Sequence, residues 1–149
     1  MAKRRGGPRP TVGWREWVRL EDLTTTPIKA KIDTGARTSS LHAFGLALRD
    51  SPDGTVATFE VHPLQRSAKQ SDRVEIAVQG FREIRSSSGH QERRPVIRTP
   101  ITLGGHRFDI DITLTSRDEM GFRMLLGRVA LRNRFLIDPG RSFCLGDNP

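Results

Sequence analysis

Apolar and polar residues alternate with a period of two along much of this chain, and that pattern reads as strand almost throughout. Ile28, Ala30 and Ile32 alternate with Lys29 and Lys31 and run directly into Asp33-Thr34-Gly35. Ala57, Phe59 and Val61 share one face of a second stretch, and Val74, Ile76 and Val78 share one face of a third. The cleanest alternation sets Phe108, Ile110, Ile112 and Leu114 against Asp109, Asp111 and Thr113. Shorter strands are expected at residues 12–14, 17–20, 41–44 and 95–101, with a last core strand at 135–137. Met124-Leu125-Leu126 is a continuous apolar run ending at Gly127, which suits a strand buried on both faces. Residues 128–132 suit one short helix.

Turn chemistry punctuates these segments. Asp50-Ser51-Pro52-Asp53-Gly54, Gly104-Gly105 and Asp138-Pro139-Gly140 each read as a turn. From residue 82 to 98 the chain is polar and arginine-rich around Ser86-Ser87-Ser88-Gly89, the composition of an exposed, mobile hairpin. Many short strands, regular turns and almost no helix predict an all-β fold closed into a barrel.

Composition narrows the class. The 149 residues fit one domain, expected over 12–149 behind a disordered basic tail at 1–11. With 28% charged and 35% hydrophobic residues the chain is polar and globular. No apolar run approaches the ~18 residues of a spanning helix, so no membrane association is expected. A basic start without an apolar segment behind it, and a single cysteine (Cys144), point to the cytoplasm. The net charge of +8 favours an acidic partner: nucleic acid, an acidic peptide or anionic lipid.

The carboxylate at the end of an alternating strand is the candidate chemistry. Asp33 either shapes a turn or does catalysis, and Asp-Thr-Gly alone does not decide. Its surroundings add to it: Ala36 and small hydroxyl residues follow, and Leu125-Leu126-Gly127-Arg128 comes some way downstream. That pair of elements resembles the retropepsin-like aspartic peptidases. The run from Lys31 through Asp33-Thr34-Gly35-Ala36-Arg37 to Ala43 is similar to the signature of one bacterial branch of that superfamily. Arg94-Pro95-Val96-Ile97, Met124-Leu125-Leu126-Gly127-Arg128 and Leu136-Ile137-Asp138-Pro139 carry the same resemblance, over residues 12–146. The branch is labelled an ATP-dependent zinc protease and is associated with ATP-grasp glutamate ligases.

The resemblance implies an aspartic peptidase that works as a homodimer, since each chain carries one Asp-Thr-Gly. Asp33 and its mate would share a proton, as is established for aspartic-protease dyads. Thr34 would brace the two loops across the dimer, and Thr34, Gly35 and Ala36 would lie along the substrate. Retroviral members carry an acid where this chain has Arg37, and that acid pairs with the arginine of the Gly-Arg element. With Arg37 and Arg128 both basic that pairing cannot form. Arg128 is left to meet Asp118, Glu119 or a substrate acid, and Arg37 is either a reader of substrate carboxylates or a plain surface residue. Arg85, Arg93, Arg94 and Arg98 lie where the family has a flap over the cleft. Arg93 and Arg94 are taken as substrate contacts there, against the alternative of a solvated charge run.

No cofactor is expected. His42, His62, His90 and His106 are scattered, no His-Glu-x-x-His occurs, and no phosphate loop is present for ATP. Asp109, Asp111 and Asp138 read as structural. The expected partners are a second copy of the chain, an acidic or glutamylated peptide, and a glutamate ligase of the ATP-grasp type. Two other readings stand beside the peptidase. One is a silent binding module that docks an acidic tail or the ligase. The other is a nucleic-acid or ribosome binder using Lys3, Arg4, Arg5 and the hairpin arginines, although the aromatic residues fall at core-like positions.

Overall fold

The computed structural model describes residues 8–64, 69–85, 89–116 and 121–146. Among these residues twelve strands and one helix follow in order. They are β1 (Thr11–Val12), β2 (Arg15–Val18), β3 (Ile28–Ile32), β4 (Ser39–His42), β5 (Phe44–Ser51) and β6 (Gly54–Val61). Then come β7 (Asp72–Ala77), β8 (Gly80–Arg85), β9 (Gln91–Leu103), β10 (His106–Thr115), β11 (Met124–Leu126), α1 (Arg128–Leu131) and β12 (Leu136–Ile137). The all-β expectation holds, with one short helix at the predicted place.

Seven strands form the main sheet in the order β2-β3-β11-β4-β10-β9-β8. β11 lies between β3, to which it is parallel, and β4, to which it is antiparallel. β11 is covered on both faces as well as flanked at both edges, which requires a continuous apolar run, and Met124, Leu125 and Leu126 are all buried. The alternation of β3 is realised directly: Ile28, Ala30 and Ile32 are buried, while Lys29 and Lys31 are half-exposed. In β10 the same logic buries Ile110, Ile112 and Leu114. At its far end the strand is covered on both faces. Thr113 is buried there too, and its hydroxyl donates to the Ser39 carbonyl at 3.2 Å.

The sheets do not close into a barrel, contrary to the expectation from strand count. β2 reaches β9 through one antiparallel bridge, Arg19 with Thr102, whose two N–H···O bonds are 2.9 Å each. Closure needs a continuous ladder with a consistent stagger. Here β8 carries the sheet on beyond that single bridge, as one arm of a hairpin with β9. β5, β6 and β7 form a separate three-stranded sheet. A register shift between Phe44 and Ala47 turns the chain out of the main sheet at that point.

Other expectations need adjustment. β5 was not foreseen, because Gly45-Leu46-Ala47-Leu48 does not alternate in burial-relevant polarity. Phe135 is buried, but Leu136 and Ile137 are not core residues; they are 51% and 36% exposed. They pair with β1, aided by Leu136 N–H on the Pro10 carbonyl at 2.9 Å. Residues 1–7 of the expected tail lie outside the described residues, and Thr11 belongs to β1. Ser86–Ser88 at the hairpin tip also lie outside them.

One buried acid ties the two ends of the domain together. The Glu16 carboxylate, fully buried, accepts N–H bonds from Gly13 at 2.7 Å, Cys144 at 2.8 Å and Leu145 at 3.2 Å. Phe143 stacks on Trp17 beside it, with centroids 5.5 Å apart. The segment after β12 is therefore seated by a side chain of β2, without a strand of its own.

Candidate active site

Asp33 stands where β3 ends, partly exposed, and its loop is held from below by β11 and α1. Its N–H donates to the Leu126 carbonyl at 2.8 Å, which continues the β3–β11 ladder up to the carboxylate. Beyond it the chain turns back: Ala36 N–H meets the Asp33 carbonyl at 3.2 Å, and Gly35 N–H meets Asp33 Oδ1 at 3.1 Å. The turn-forming and catalytic readings of Asp33 are thus compatible. One N–H occupies one carboxylate oxygen and fixes the side chain, while a carboxylate has room for about four donors.

The underside of the loop is clamped by the start of α1. Arg128 N–H donates to the Ala36 carbonyl at 2.9 Å and Val129 N–H to the Arg37 carbonyl at 3.1 Å. The Arg128 guanidinium adds bonds to the carbonyls of Thr34 at 3.1 Å and Gly35 at 3.4 Å. Four successive carbonyls are therefore bound by two adjacent residues. Arg128 meets backbone oxygens in place of the missing acid; Asp118 and Glu119, the other partners considered, lie outside the described residues. Gly127 makes this approach possible. A Cβ there would sit 2.5 Å from the Thr38 carbonyl carbon and 2.6 Å from its oxygen. Gly127 N–H is in turn taken by the Ser39 hydroxyl at 3.1 Å.

The arginines sort by the pleat of the hairpin. Arg82 pairs in register with Arg94, and Glu83 with Arg93. Arg82, Arg94 and Arg98 therefore share one face, and Arg93 lies on the other. Arg94 is buried, and its Nε donates to Glu92 at 2.9 Å. Arg93 is exposed, stacked over Phe81 at 4.2 Å. Neither Arg93 nor Arg94 lines the cavity beside the loop. That cavity, about 210 Å³, is lined instead by Arg37, Arg82, Arg98 and Arg134, together with Asp109 and Asp111. Arg98 bonds to Asp111 at 3.0 Å. Asp138 is structural, accepting Gly140 N–H at 3.1 Å in its turn.

Sequence reasoning missed Arg82 and Arg134 as cavity residues. Strand parity would have separated Arg82 from Arg93, once the register of the hairpin was known. Nothing local in the sequence brings Arg134 there; it follows α1 and arrives by tertiary packing.

Among the described residues, the side chains do not fit the zinc of the branch's label. His42 and His62 lie face to face with opposite sides of Phe44, with centroids 3.9 and 3.8 Å from it. No group of three or more His, Cys, Asp or Glu side chains among the described residues is placed to hold a metal ion. No helix among them is long and apolar enough to cross a membrane.

Comparison with known proteins agrees with this fold. A Legionella pneumophila protein of unknown function, Lpg0085, superposes with a TM-score of 0.74 at 27% identity, over 91% of this chain and 98% of that one. A probable alpha-L-glutamate ligase of Shewanella halifaxensis is 47% identical over 135 residues, 91% of this chain and 30% of the relative. One from Parasynechococcus marenigrum is 46% identical over 136 residues, 91% of this chain and 29% of the relative. The chain thus spans about 30% of the length of these curated relatives. The family model describing the retropepsin-like aspartic endopeptidase RimB matches residues 11–147, and the chain belongs to this RimB-like family.

Proposed function

We propose that the chain is one subunit of a homodimeric aspartic endopeptidase that cuts acidic peptides or proteins, including chains that bear glutamate tails. The observation that carries this reading is the clamped loop. Asp33 is fixed through its own N–H, its carbonyl and Oδ1, so one carboxylate oxygen is left for a reactant. Membership in the RimB-like family supports the step from a poised carboxylate to peptide hydrolysis. The second carboxylate would come from Asp33 of a second copy.

In that dimer one carboxylate takes a proton from water as the water oxygen bonds to the scissile carbonyl carbon. The other, protonated, gives its proton to the carbonyl oxygen, and a tetrahedral diol forms. Collapse of the diol breaks the C–N bond while a proton passes to the amine nitrogen. The products are one carboxylic acid and one amine, and a single water is consumed. No metal takes part in this scheme.

The ligase names of the relatives support two further statements. The proposed partner is a glutamate ligase, and the proposed substrate is a product of such an enzyme. They also favour a second reading, in which this domain docks a ligase or its acidic product without cutting. Incubation of the purified chain with glutamate-rich peptides, alongside an Asp33→Asn variant, separates the two. Cleavage by a dimeric wild type and none by a folded Asp33→Asn is the expected result. A stable monomer at high concentration, or full activity in Asp33→Asn, would sink the peptidase.

A further inference from the structure

The cavity beside the loop has a charge imbalance that its own residues do not resolve. Four arginines line it against two aspartates. Arg98 is matched by Asp111 at 3.0 Å. Arg134 is turned over the Phe108 ring at 4.1 Å and donates to the Ala130 carbonyl at 3.4 Å. Arg37 and Arg82 have no ion pair with a carboxylate among the described residues, although both are at the cavity wall. Arg37 belongs to the catalytic loop and Arg82 to β8, the outer arm of the hairpin. They come from two separate pieces of the structure.

We infer that this cavity is a subsite for an acidic side chain, whose carboxylate bridges Arg37 of the catalytic loop and Arg82 of the hairpin. The inference rests on the proposed peptidase for its consequence in turnover; binding at the subsite stands apart from cleavage. Two like charges facing one space repel each other, and a carboxylate placed between them removes that repulsion while accepting from both forks. A volume of about 210 Å³ admits such a group. At ~30 Å³ per water it holds on the order of seven waters, enough room for a carboxylate on a short aliphatic stem.

The bridge has a consequence that a merely basic surface lacks. A substrate acid held at both ends draws the β8–β9 arm toward the Asp33 loop, so recognition and closure of the arm become one event. An amide of the same shape bridges poorly, because it presents one acceptor oxygen and two donors to two guanidinium groups. Glutamate is thereby separated from glutamine by the closure it causes, as well as by charge.

The test uses the full chain carrying Asp33→Asn, so that cleavage does not intervene, and two pentapeptides that differ only by one central Glu or Gln. The Glu peptide is expected to bind about tenfold or more tightly than its partner. It alone should slow amide exchange across residues 80–85. Adding Arg82→Ala or Arg37→Gln should remove the difference, while adding Arg93→Ala, on the opposite face, should preserve it. Equal affinity for the two peptides overturns the subsite. So does discrimination that survives in the combined Arg37→Gln, Arg82→Ala variant. Glu-specific, Arg82-dependent binding by a wild type that cuts neither peptide would remove the peptidase and leave the subsite. Cleavage of both peptides at equal rates, with equal binding, would do the reverse.

Discussion

Arg128 donates to the carbonyl of Thr34 across 94 positions of sequence, at 3.1 Å. This bond, with its companion to Gly35, holds the loop of the candidate catalytic carboxylate to the start of the helix. Position 37 carries no acid, and Arg128 binds the backbone of the loop.

Removing that clamp should cost activity before it costs the fold. Arg128→Ala deletes hydrogen bonds to exposed carbonyls, and a loss of about 1 kcal/mol in stability is expected. If the loop positions the catalytic carboxylate, kcat should fall at least about tenfold with KM changed much less. Arg128→Lys keeps the charge without the fork and should recover little of the lost rate. A rise in KM with kcat intact would show that Arg128 serves binding and not loop position.

Gly127→Ala should be far more damaging than an ordinary glycine replacement. The new Cβ would meet backbone at 2.5 Å and 2.6 Å, and backbone cannot rotate aside. Destabilisation of about 1–3 kcal/mol or more is expected from the overpacking. Urea unfolding measures it, and an unchanged midpoint would refute the close contact with Thr38.

Glu16→Ala leaves three backbone donors without their acceptor, two of them in the segment after β12. Stranded buried donors cost about 1–3 kcal/mol each where water cannot reach them. Proteolysis near Cys144 should accelerate in this variant as the end of the domain comes loose. Glu16→Gln keeps one acceptor oxygen and should lie between it and the wild type.

Acid should weaken one contact on the three-stranded sheet. The hydrogen bond from His62, with a second from Ser71, holds the Glu60 carboxyl below its ordinary pKa. A depressed folded value means that ionised Glu60 adds stability above the unfolded pKa. The contribution is lost as pH falls through the lower folded value. The stability difference between wild type and Glu60→Gln should therefore shrink on acidification through that range. A difference that is independent of pH would contradict the His62 contact.

Much of the fold was legible because burial follows alternation. Ile28, Ala30 and Ile32, and likewise Ile110, Ile112 and Leu114, turn inward as their period requires. Asp33 could be placed at the end of a strand for the same reason. β5 could not be read, since its register shift between Phe44 and Ala47 breaks the period that defines a strand. Leu136 and Ile137 look like core in composition, but they sit in a two-stranded edge and are exposed. Barrel closure was beyond reach for another reason. Whether β2 meets β9 in one bridge or in a full ladder depends on contacts distant in sequence, which no local pattern encodes. The same limit hid which hairpin arginines face the cavity, because facing depends on the register Arg82–Arg94.

Holding the loop by its carbonyls has a consequence for how this kind of site can change. Where a catalytic loop depends on a side-chain ion pair, each partner is locked, and altering one loosens the chemistry. Here the oxygens of residues 34 to 37 are supplied by every amino acid alike. The side chain at position 37 is thereby released from architectural duty. Exchange for a neutral or acidic residue should leave the carboxylate four residues earlier in the loop seated. In the proposed peptidase, substrate preference and catalytic competence would then be inherited separately, and a descendant could acquire a new diet without first rebuilding its hearth.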